Sequence, residues 1–328
     1  MSDGREPAVL GADGGSTKTD VVLVDANGML LGRARGPASG HQLLGLEAAM
    51  DALGATIDAA LADAGLPTGT VVPTGVYCLS GIDLPVDERL VGPTVEDRGW
   101  TTTSDVRNDT FAVLRAGVSS GWGVAVVCGT GLNCVGLGPD GSTVRFPALG
   151  ELSGDYAQGG SWLGLRGLGV ALRAADGRGG PTTLSTLVPE HFGVTSAEDV
   201  LEAVYTGQLS YSRLFELAEV VLAAARDGDG PAAGAVGVLV DEAVAMVVAA
   251  VERIDIGSAP VEVVVGGSLF DDEGFSHRVF EGVRAKAPGA APRRLLGPPV
   301  LGAALLGLDE VAAGAEAEAA LRAALETD

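Results

Sequence analysis

Residues 11–20 have the composition of a phosphate-binding turn, although they lack the pattern of a Walker loop. An apolar run leads into Asp13, two glycines and two hydroxyl residues, and a second apolar run follows. Because glycine has no Cβ atom, backbone N–H groups there can approach an anion closely, and the hydroxyls add donors. Asp13 can hold a divalent metal ion through its water shell. An ordinary glycine-rich hairpin is the alternative interpretation. The predicted phosphate ligands are Gly14, Gly15, Ser16 and Thr17.

A similar hairpin recurs later in the chain. In the first copy, residues 25–28 give a strong turn signal between two strand-like runs. In the second copy, an apolar strand at residues 123–128 precedes a turn rich in Gly and Thr, and residues 139–141 make the next turn. Chance glycine turns rarely recur with the same neighbours, so this internal repeat favours a phosphate-binding role. The candidates in the second copy are Gly129, Thr130, Gly131 and Asn133.

Polar residues gather where the predicted strands end. The first part of the chain has the pattern β-β-β-α-β-α-β-α. Ser80 and Gly81 follow the strand predicted at residues 75–79, and Asp109 follows the strand predicted at residues 102–107. Ligands of open α/β sheets bind at such strand ends. These residues are therefore candidates for a binding site.

The later part of the chain is predicted to be mostly helical from residue 161 to residue 256. A strand at residues 261–265 then runs into another glycine turn. The tail, residues 312–327, alternates Ala, Glu and Leu, which predicts a surface helix whose acidic residues form a solvated face. The residues of the glycine turn are Gly266, Gly267 and Ser268.

Length and charge limit the classes of function. A chain of 328 residues suits two domains of ordinary size. Its net charge of −22, from 21 basic and 43 acidic side chains, argues against nucleic-acid and anionic-membrane partners. The sequence shows no apolar run of transmembrane length, and its polar beginning lacks the features of a signal peptide. We therefore expect a cytoplasmic protein with no nucleic-acid or membrane partner.

The three cysteines are expected to be buried thiols. Cys78, Cys128 and Cys134 lie in or beside apolar strand-like runs, with no Cys-x-x-Cys pair and no histidine nearby. This pattern argues against a zinc site or a disulfide framework.

The order of these motifs resembles the actin-like ATPase and sugar-kinase superfamily. Within it, the chain is similar to the BadF/BadG/BcrA/BcrD-type ATPases and their N-acetylglucosamine kinases. The two phosphate motifs correspond to residues 13–20 and 129–133, the adenosine motif to residues 266–268, and the position of the catalytic aspartate to residues 108–112. Each motif is short, but four in the right order are a specific signal.

The resemblance implies an α/β protein with a two-lobed actin-like ATPase (ribonuclease H-like) fold. Each lobe would contain a mixed five-stranded sheet, and the ligands would bind in an interlobe cleft. We expect residues 1–117 to form the N-terminal lobe, with a C-terminal helix at residues 307–328 packing back on it. Residues 118–306 would form the C-terminal lobe, which carries a helical insertion.

The resemblance also implies the chemistry. It predicts an ATP- and Mg²⁺-dependent kinase that phosphorylates N-acetylglucosamine, or a related amino sugar or hexose, at a primary hydroxyl. Asp109 would be the general base, although an Asp that opens a helix is also a good N-cap. We expect no partner besides the small-molecule sugar and a second copy of the chain in a homodimer. The implied sugar contacts are His41, Ser80, Gly81 and Asp155.

Some points remain open. The family motif Asn-His-Trp is replaced by Gly40, His41 and Gln42, and Tyr156 stands where a Glu is usual, which puts acetamido specificity in doubt. His41 is equally a loop histidine, and Lys18 and Glu151 are undecided as ligand contacts. One alternative function is an iron–sulfur ATPase activator of a 2-hydroxyacyl-CoA dehydratase or benzoyl-CoA reductase. A nucleotide-dependent binding module is another.

Overall fold

The computed structural model describes residues 6–254 and 260–326. Its contacts divide the chain into two units. The first contains the described residues up to 125 and from 294 onwards, and the second contains the described residues of 126–293. The predicted ends of two helical stretches, Ile256 and Thr327, lie outside the described residues.

The helices and strands follow one another in the order that the sequence predicts. The chain begins with β1 (Val9–Gly14), β2 (Lys18–Val24), β3 (Leu30–Pro37), α1 (His41–Leu44), α2 (Leu46–Asp63), β4 (Val72–Leu79), α3 (Pro85–Arg98), β5 (Thr101–Asn108) and α4 (Thr110–Gly117). It continues with β6 (Gly123–Cys128), β7 (Leu132–Leu137), β8 (Thr143–Arg145), α5 (Gly160–Ala175), α6 (Leu184–Phe192), α7 (Ala197–Tyr205), α8 (Leu217–Arg226) and α9 (Gly230–Arg253). It ends with β9 (Val261–Gly266), α10 (Glu273–Lys286), β10 (Ala290–Arg294), α11 (Val300–Glu310) and α12 (Ala315–Leu325).

The sheet of the first unit has the strand order β3-β2-β1-β4-β5. The first three strands pair antiparallel, whereas β1, β4 and β5 run parallel, so the sheet is mixed as predicted. In the first hairpin, Gly14 pairs with Thr19, and the N–H of Gly15 donates to the carbonyl of Lys18 at 2.8 Å. The glycine pair therefore lies at a tight turn at the carboxyl end of β1.

Helices cover both faces of this sheet because side chains alternate along each strand. Leu10 and Val21 pack in one core with Leu53 of α2, whereas Val22 packs in another core with Leu305 of α11. Helix α11 lies unusually close to the sheet. A Cβ atom on Gly11 would be 2.6 Å from the backbone nitrogen of Ala304.

The lobe bounds expected from the resemblance, residues 1–117 and 118–306, stay predictions. By its contacts, the chain returns to the first unit near Arg294. The reason is that α11 packs directly on the sheet and on α4, where a Cβ atom on Gly302 would collide with the carbonyl oxygen of Ala112.

Helix α12 is also more than a solvated surface helix. Its Leu321 and Leu325 are buried in the α11 core. Glu318 accepts hydrogen bonds from Arg115 of α4 at 2.7 Å and from Arg322 at 2.8 Å. One of its acidic side chains therefore ties the helix to α4.

The second unit contains the other five-stranded sheet, in the order β10-β9-β6-β7-β8. One helix among the described residues, α9, is long and apolar enough to cross a membrane by length and composition, which corrects our expectation that no such run exists. However, Asp241 and Glu242 interrupt its sequence, and half of the apolar window is buried. The inner face of α9, which includes Leu239 and Val247, is buried. The helix contacts α5, α8 and α10. These are the features of a core helix.

The close packing of α11 gives a stability prediction. Gly302→Ala should lower the free energy of unfolding by about 1–3 kcal/mol, because the added methyl group meets backbone atoms that cannot rotate away. Gly169→Ala is the matched control in α5, since open space surrounds that position. It should stabilise the protein by about 0.5–1 kcal/mol, as Ala does in a helix interior. Chemical unfolding of both variants measures the difference, and equal values for the two would contradict the packing.

Candidate functional site

A row of polar side chains crosses the first sheet at the carboxyl end of β1. The register pairs Arg35 with Asp20, Asp20 with Asp13, Asp13 with Cys78, and Cys78 with Arg107. Directly paired residues project from the same face of a sheet. The row therefore places two carboxylates on the inner strands, with an arginine on each edge strand.

Within this row, the two aspartates are in opposite electrostatic situations. Burial, together with the nearby carboxylates of Asp109 and Asp20, raises the pKa of Asp13 to about 8. Burial also acts on Asp20, but its hydrogen bonds to Arg35 and Lys18 hold its pKa below the ordinary value. Arg35 Nε lies 2.6 Å from Asp20 Oδ1, and Lys18 Nζ lies 2.9 Å from Asp20 Oδ2. The local cations are therefore bound to Asp20, and Asp13 lacks direct compensation.

Asp109 follows β5 and stands at the N-cap position of α4, where its side chain makes no capping hydrogen bond. The cap is made by its neighbour, since Asn108 Oδ1 accepts from the N–H of Thr110 at 3.0 Å and from its hydroxyl at 2.5 Å. Burial raises the pKa of Asp109 to about 6, although hydrogen bonds from the backbone N–H groups of Thr110 and of Asp109 itself act in the opposite direction. Because Asn108 makes the side-chain cap, the carboxylate of Asp109 is not needed as the cap of α4.

Three loops meet at the first glycine turn. The N–H of Ser80 donates to the carbonyl of Gly14 at 2.7 Å, and the N–H of Ser39 donates to the carbonyl of Gly15 at 3.2 Å. A Cβ atom on Gly14 would meet Ser39 Oγ at 2.5 Å and Leu79 Cδ2 at 2.6 Å. A side chain at Gly14 would therefore force Ser39 and Leu79 to move. Ser16 and Thr17 are exposed at its tip.

The residues predicted to contact the sugar in the first unit also contact one another. Gln42 Nε2 donates to the carbonyl of Gly81 at 3.1 Å. His41 Nε2 lies 3.6 Å from Asp87 Oδ1, and its side chain is only 8% exposed. The ring also faces Gly81, where a Cβ atom would lie 3.2 Å from His41 Cε1. His41 is thus held by the protein itself, which is closer to the loop interpretation than to a free sugar donor.

The second glycine turn is built differently. The N–H of Gly160, at the start of α5, donates to the carbonyl of Gly129 at 2.8 Å, and that of Ser161 donates to the carbonyl of Thr130 at 2.9 Å. The first turn of α5 therefore supports the hairpin between β6 and β7. The side chain of Asn133 accepts a hydrogen bond from the N–H of Cys134 at 2.7 Å.

The turn after β9 lies beside this hairpin. Gly267 has a φ of +94°, and a Cβ atom there would be 2.5 Å from the carbonyl oxygen of Cys128. Only glycine fits that approach. Gly266 is buried, whereas Gly267 and Ser268 are exposed. The structure thus brings together the second phosphate motif and the adenosine motif.

Asp155 belongs to the second unit and holds its own loop. Its Oδ2 accepts from the N–H of Gly150 at 2.9 Å and from Ser153 Oγ at 2.6 Å. The next residue, Tyr156, is exposed, and its N–H donates to Glu242 at 3.2 Å. The hydrogen bonds from Gly150 and Ser153 to Asp155 therefore lie within its own loop in the second unit. Glu151 is exposed.

The donors present suit magnesium better than a metal with a full protein cage. In the described parts of the chain, no group of three or more His, Cys, Asp or Glu side chains surrounds a common metal position. Mg²⁺ needs only one or two carboxylates when water and phosphate complete its shell. The buried carboxylate of Asp13, near that of Asp109, supplies this kind of ligand.

All three cysteines are buried, as expected. Burial raises the pKa of each thiol, which disfavours the thiolate that an iron–sulfur cluster needs.

Sequence reasoning missed several residues of the site. Asp20 and Arg35 become visible only through strand register, and Asn108 and Asp83 only through a contact between loops. The one local signal was the alternation of β2, which puts Asp20 on the same face as Lys18.

The two five-stranded mixed sheets, with glycine turns at their strand ends, define an actin-like ATPase or sugar-kinase fold. The chain belongs to the BadF/BadG/BcrA/BcrD ATPase family, whose model matches residues 10–307.

Among similar proteins, an N-acetyl-D-glucosamine kinase of Dictyostelium discoideum is 30% identical over 229 residues, which are 67% of this chain and 72% of the relative. A solved structure from Chromobacterium violaceum, proposed to be an N-acetylglucosamine kinase, is 26% identical with a TM-score of 0.73, covering 93% of this chain and all of that one. A ROK family glucokinase from Streptomyces griseus, solved with glucose and AMPPNP, shares the fold at 19% identity and a TM-score of 0.52, over 91% of this chain and 98% of its own.

The buried carboxyl of Asp13 gives a prediction about stability and pH. An unfolded chain ionises this group near 3.8, whereas the folded protein keeps it protonated up to about 8. The wild type should therefore lose stability relative to Asp13→Asn as the pH rises from 4 to 8, because only the unfolded state releases this proton.

Thermal unfolding in metal-free buffer at several pH values measures this effect. The melting temperature of Asp13→Asn should increase relative to that of the wild type as the pH rises. Asp97→Asn removes an exposed carboxylate of α3 and serves as the control for the same chemical change at the surface. A pH-independent difference for Asp13→Asn would contradict the raised pKa.

Proposed function

We propose that this protein is an ATP-dependent kinase that transfers the γ-phosphoryl group to a primary hydroxyl of N-acetylglucosamine, or of a related amino sugar or hexose. The family and its N-acetylglucosamine kinase relatives support the class of reaction. The observation that carries the proposal is local. Asp109 has a carboxylate that does not cap its helix, and it lies near Asp13 at the end of the sheet that bears the glycine turn.

Asp109 is proposed to accept the proton of the attacking sugar hydroxyl. A pKa of about 6 leaves most of this carboxylate ionised at neutral pH, so it can act as a base without being too weak. Its position directly after β5, which pairs in parallel with β4, and at the start of α4 fixes its backbone. Most of the rate in phosphoryl transfer comes from such positioning and from neutralising the charge of the phosphates.

Asp13 is the proposed residue for Mg²⁺. A bound Mg²⁺ would supply charge neutralisation to the phosphates. The raised pKa of Asp13 fits this role, because a carboxyl that lacks a direct cationic partner in the protein gains most from a bound cation.

ATP is proposed to bind through backbone groups rather than through basic side chains. Because the net charge is −22, no basic surface attracts the nucleotide, and Lys18 is already bound to Asp20. Backbone N–H groups of glycine turns supply donors without added charge. The proposed phosphate ligands are Gly14, Gly15, Ser16, Thr17, Gly129, Thr130, Gly131 and Asn133, and the proposed adenosine contacts are Gly266, Gly267 and Ser268.

The sugar contacts are proposed at His41, Ser80, Gly81 and Asp155. Ser80 and Gly81 are supported most, since hydrogen bonds connect their loop to the phosphate turn. His41 and Asp155 already have partners in the protein, so we assign them to shaping the acceptor site. Gly40 and Gln42 replace the Asn and Trp of the kinase motif, which favours weaker discrimination among amino sugars.

The cellular setting is part of the proposal. The reaction requires ATP, which the cytoplasm provides, and the buried thiols suit a reducing compartment. A homodimer remains a prediction, which light scattering of the purified protein tests directly. The iron–sulfur activator is the less favoured function, because Cys128 and Cys134 are buried in the strands that flank the second phosphate turn.

A sugar panel tests the reaction itself. We expect ATP- and Mg²⁺-dependent ADP release with N-acetylglucosamine, glucosamine or a close analogue, and a phosphosugar visible by mass spectrometry. Reactions without sugar measure background ATPase activity. ATP binding in calorimetry without transfer to any hexose or hexosamine would favour a nucleotide-dependent binding module, and a brown protein that bleaches on reduction would favour the activator.

Replacing the base gives a second test. Asp109→Asn should lower kcat by about a hundredfold or more with little change in ATP affinity, since it removes a base and not a phosphate ligand. The rate of the wild type should fall as the pH drops through about 6, and the variant should lack that decline. Asp97→Asn is the control for a lost carboxylate. Near-normal turnover of a folded Asp109→Asn protein would refute the assignment.

A further inference from the structure

Both ends of the Asn108 side-chain amide are used. The residue is only 3% exposed. Its Oδ1 accepts two hydrogen bonds from Thr110, and its Nδ2 donates to Asp83 Oδ1 at 2.9 Å. The orientation of the amide follows from chemistry, because a backbone N–H needs an acceptor and a carboxylate needs a donor. A buried amide with both ends satisfied is a rigid connection.

The partner of Asn108 lies in a loop that matters for the acceptor. Asp83 is in the segment between β4 and α3, two residues after Gly81. The same loop is held at its other points: Gln42 binds the carbonyl of Gly81, and Asp87 Oδ2 accepts from the N–H groups of Asp83 at 3.1 Å and Leu84 at 2.8 Å. Residues 80–84 therefore form a fixed loop, which we call the acceptor loop.

The end of β4 already pairs with the end of β5, since Leu79 is the register partner of Asn108, and the side-chain contact extends this connection to Asp83 beyond the strand. Asp109 is next to Asn108 in the chain, whereas Asp83 of the acceptor loop precedes Asn108 by 25 residues. The Asn108–Asp83 hydrogen bond joins the end of β5, and hence the base, directly to the loop that begins with Ser80. The cap on Thr110 comes from the same side chain.

We propose that Asn108 is a positioning residue with two tasks. It caps α4 in place of Asp109, so that the carboxylate of Asp109 is left for the acceptor hydroxyl. It also ties the acceptor loop to the end of β5, next to this base, so that the distance between the sugar and the base is fixed. This inference rests on the proposed kinase function, although its structural part can be tested without turnover.

Exchanging the two side chains separates positioning from simple stability. Asn108→Asp keeps an oxygen for the cap but places a carboxylate against Asp83. Asp83→Asn combined with Asn108→Asp restores one donor and one acceptor, with the net charge of the pair unchanged. Asn27→Asp is the matched control, since it makes the same chemical change in an exposed turn.

In the kinetic arm, each variant is assayed for kcat and for KM of both substrates. Asn108→Asp should raise the KM of the sugar by about tenfold or more, because two carboxylates would then face each other where a hydrogen bond was, while the KM of ATP stays within about twofold. The exchanged pair should recover to within about threefold of the wild type. Asn27→Asp should behave as the wild type.

Hydrogen exchange of the ligand-free proteins tests, without an activity measurement, whether Asn108 holds the acceptor loop. Peptides covering residues 80–87 should exchange faster in Asn108→Asp and return to the wild-type rate in the exchanged pair. A wild type that phosphorylates no sugar would defeat the proposed function, while the exchange rates would still decide whether Asn108 holds the loop. Unchanged exchange in Asn108→Asp, or equal losses for both substrates without recovery in the exchanged pair, would overturn the inference.

Discussion

The central constraint in the first unit is the burial of the Asp13 carboxyl at the end of β1. A buried carboxylate is costly unless a cation or hydrogen-bond donors compensate it. The nearby cations compensate it only in part, because Lys18 and Arg35 are bound directly to Asp20 on the next strand. Burial and two neighbouring carboxylates therefore raise the pKa of Asp13 to about 8. The ionised form of Asp13 is therefore unfavourable by itself, and a bound cation would stabilise it.

The rest of the unit maintains that position. Strand β1 is central, with β2 antiparallel on one side and β4 parallel on the other, so Asp13 cannot move away without breaking both pairings. Helix α11 closes one face, and its approach depends on glycine at positions 11 and 302. Asp109, the proposed base, follows the end of β5 in the same sheet. Rigid strands thus hold two carboxylates close together, which isolated loops would not do.

The sequence predicted the local parts of this site and missed the long-range ones. The two hairpins and the helix after Asp109 follow from turn chemistry and periodicity within about ten residues, so they could be located in advance. The pairing of Asp20 with Arg35 requires the register of β2 on β3, and the contact of Asn108 with Asp83 requires two loops to meet. The return of the chain at Arg294 depends on the absence of side chains at a few glycines, which no periodicity reveals.

The two glycine hairpins show how one backbone motif serves two chemical purposes. In the first, an aspartate precedes the glycine, and the neighbouring strand adds a second carboxylate. In the second, Cys128 occupies the place before the glycine, and the start of α5 supports the turn through backbone hydrogen bonds. A buried thiol brings no negative charge, so a cation has no reason to bind there. The repeat therefore supplies backbone donors twice but a buried carboxylate once, and for this reason the proposed metal ligand is Asp13 of the first hairpin.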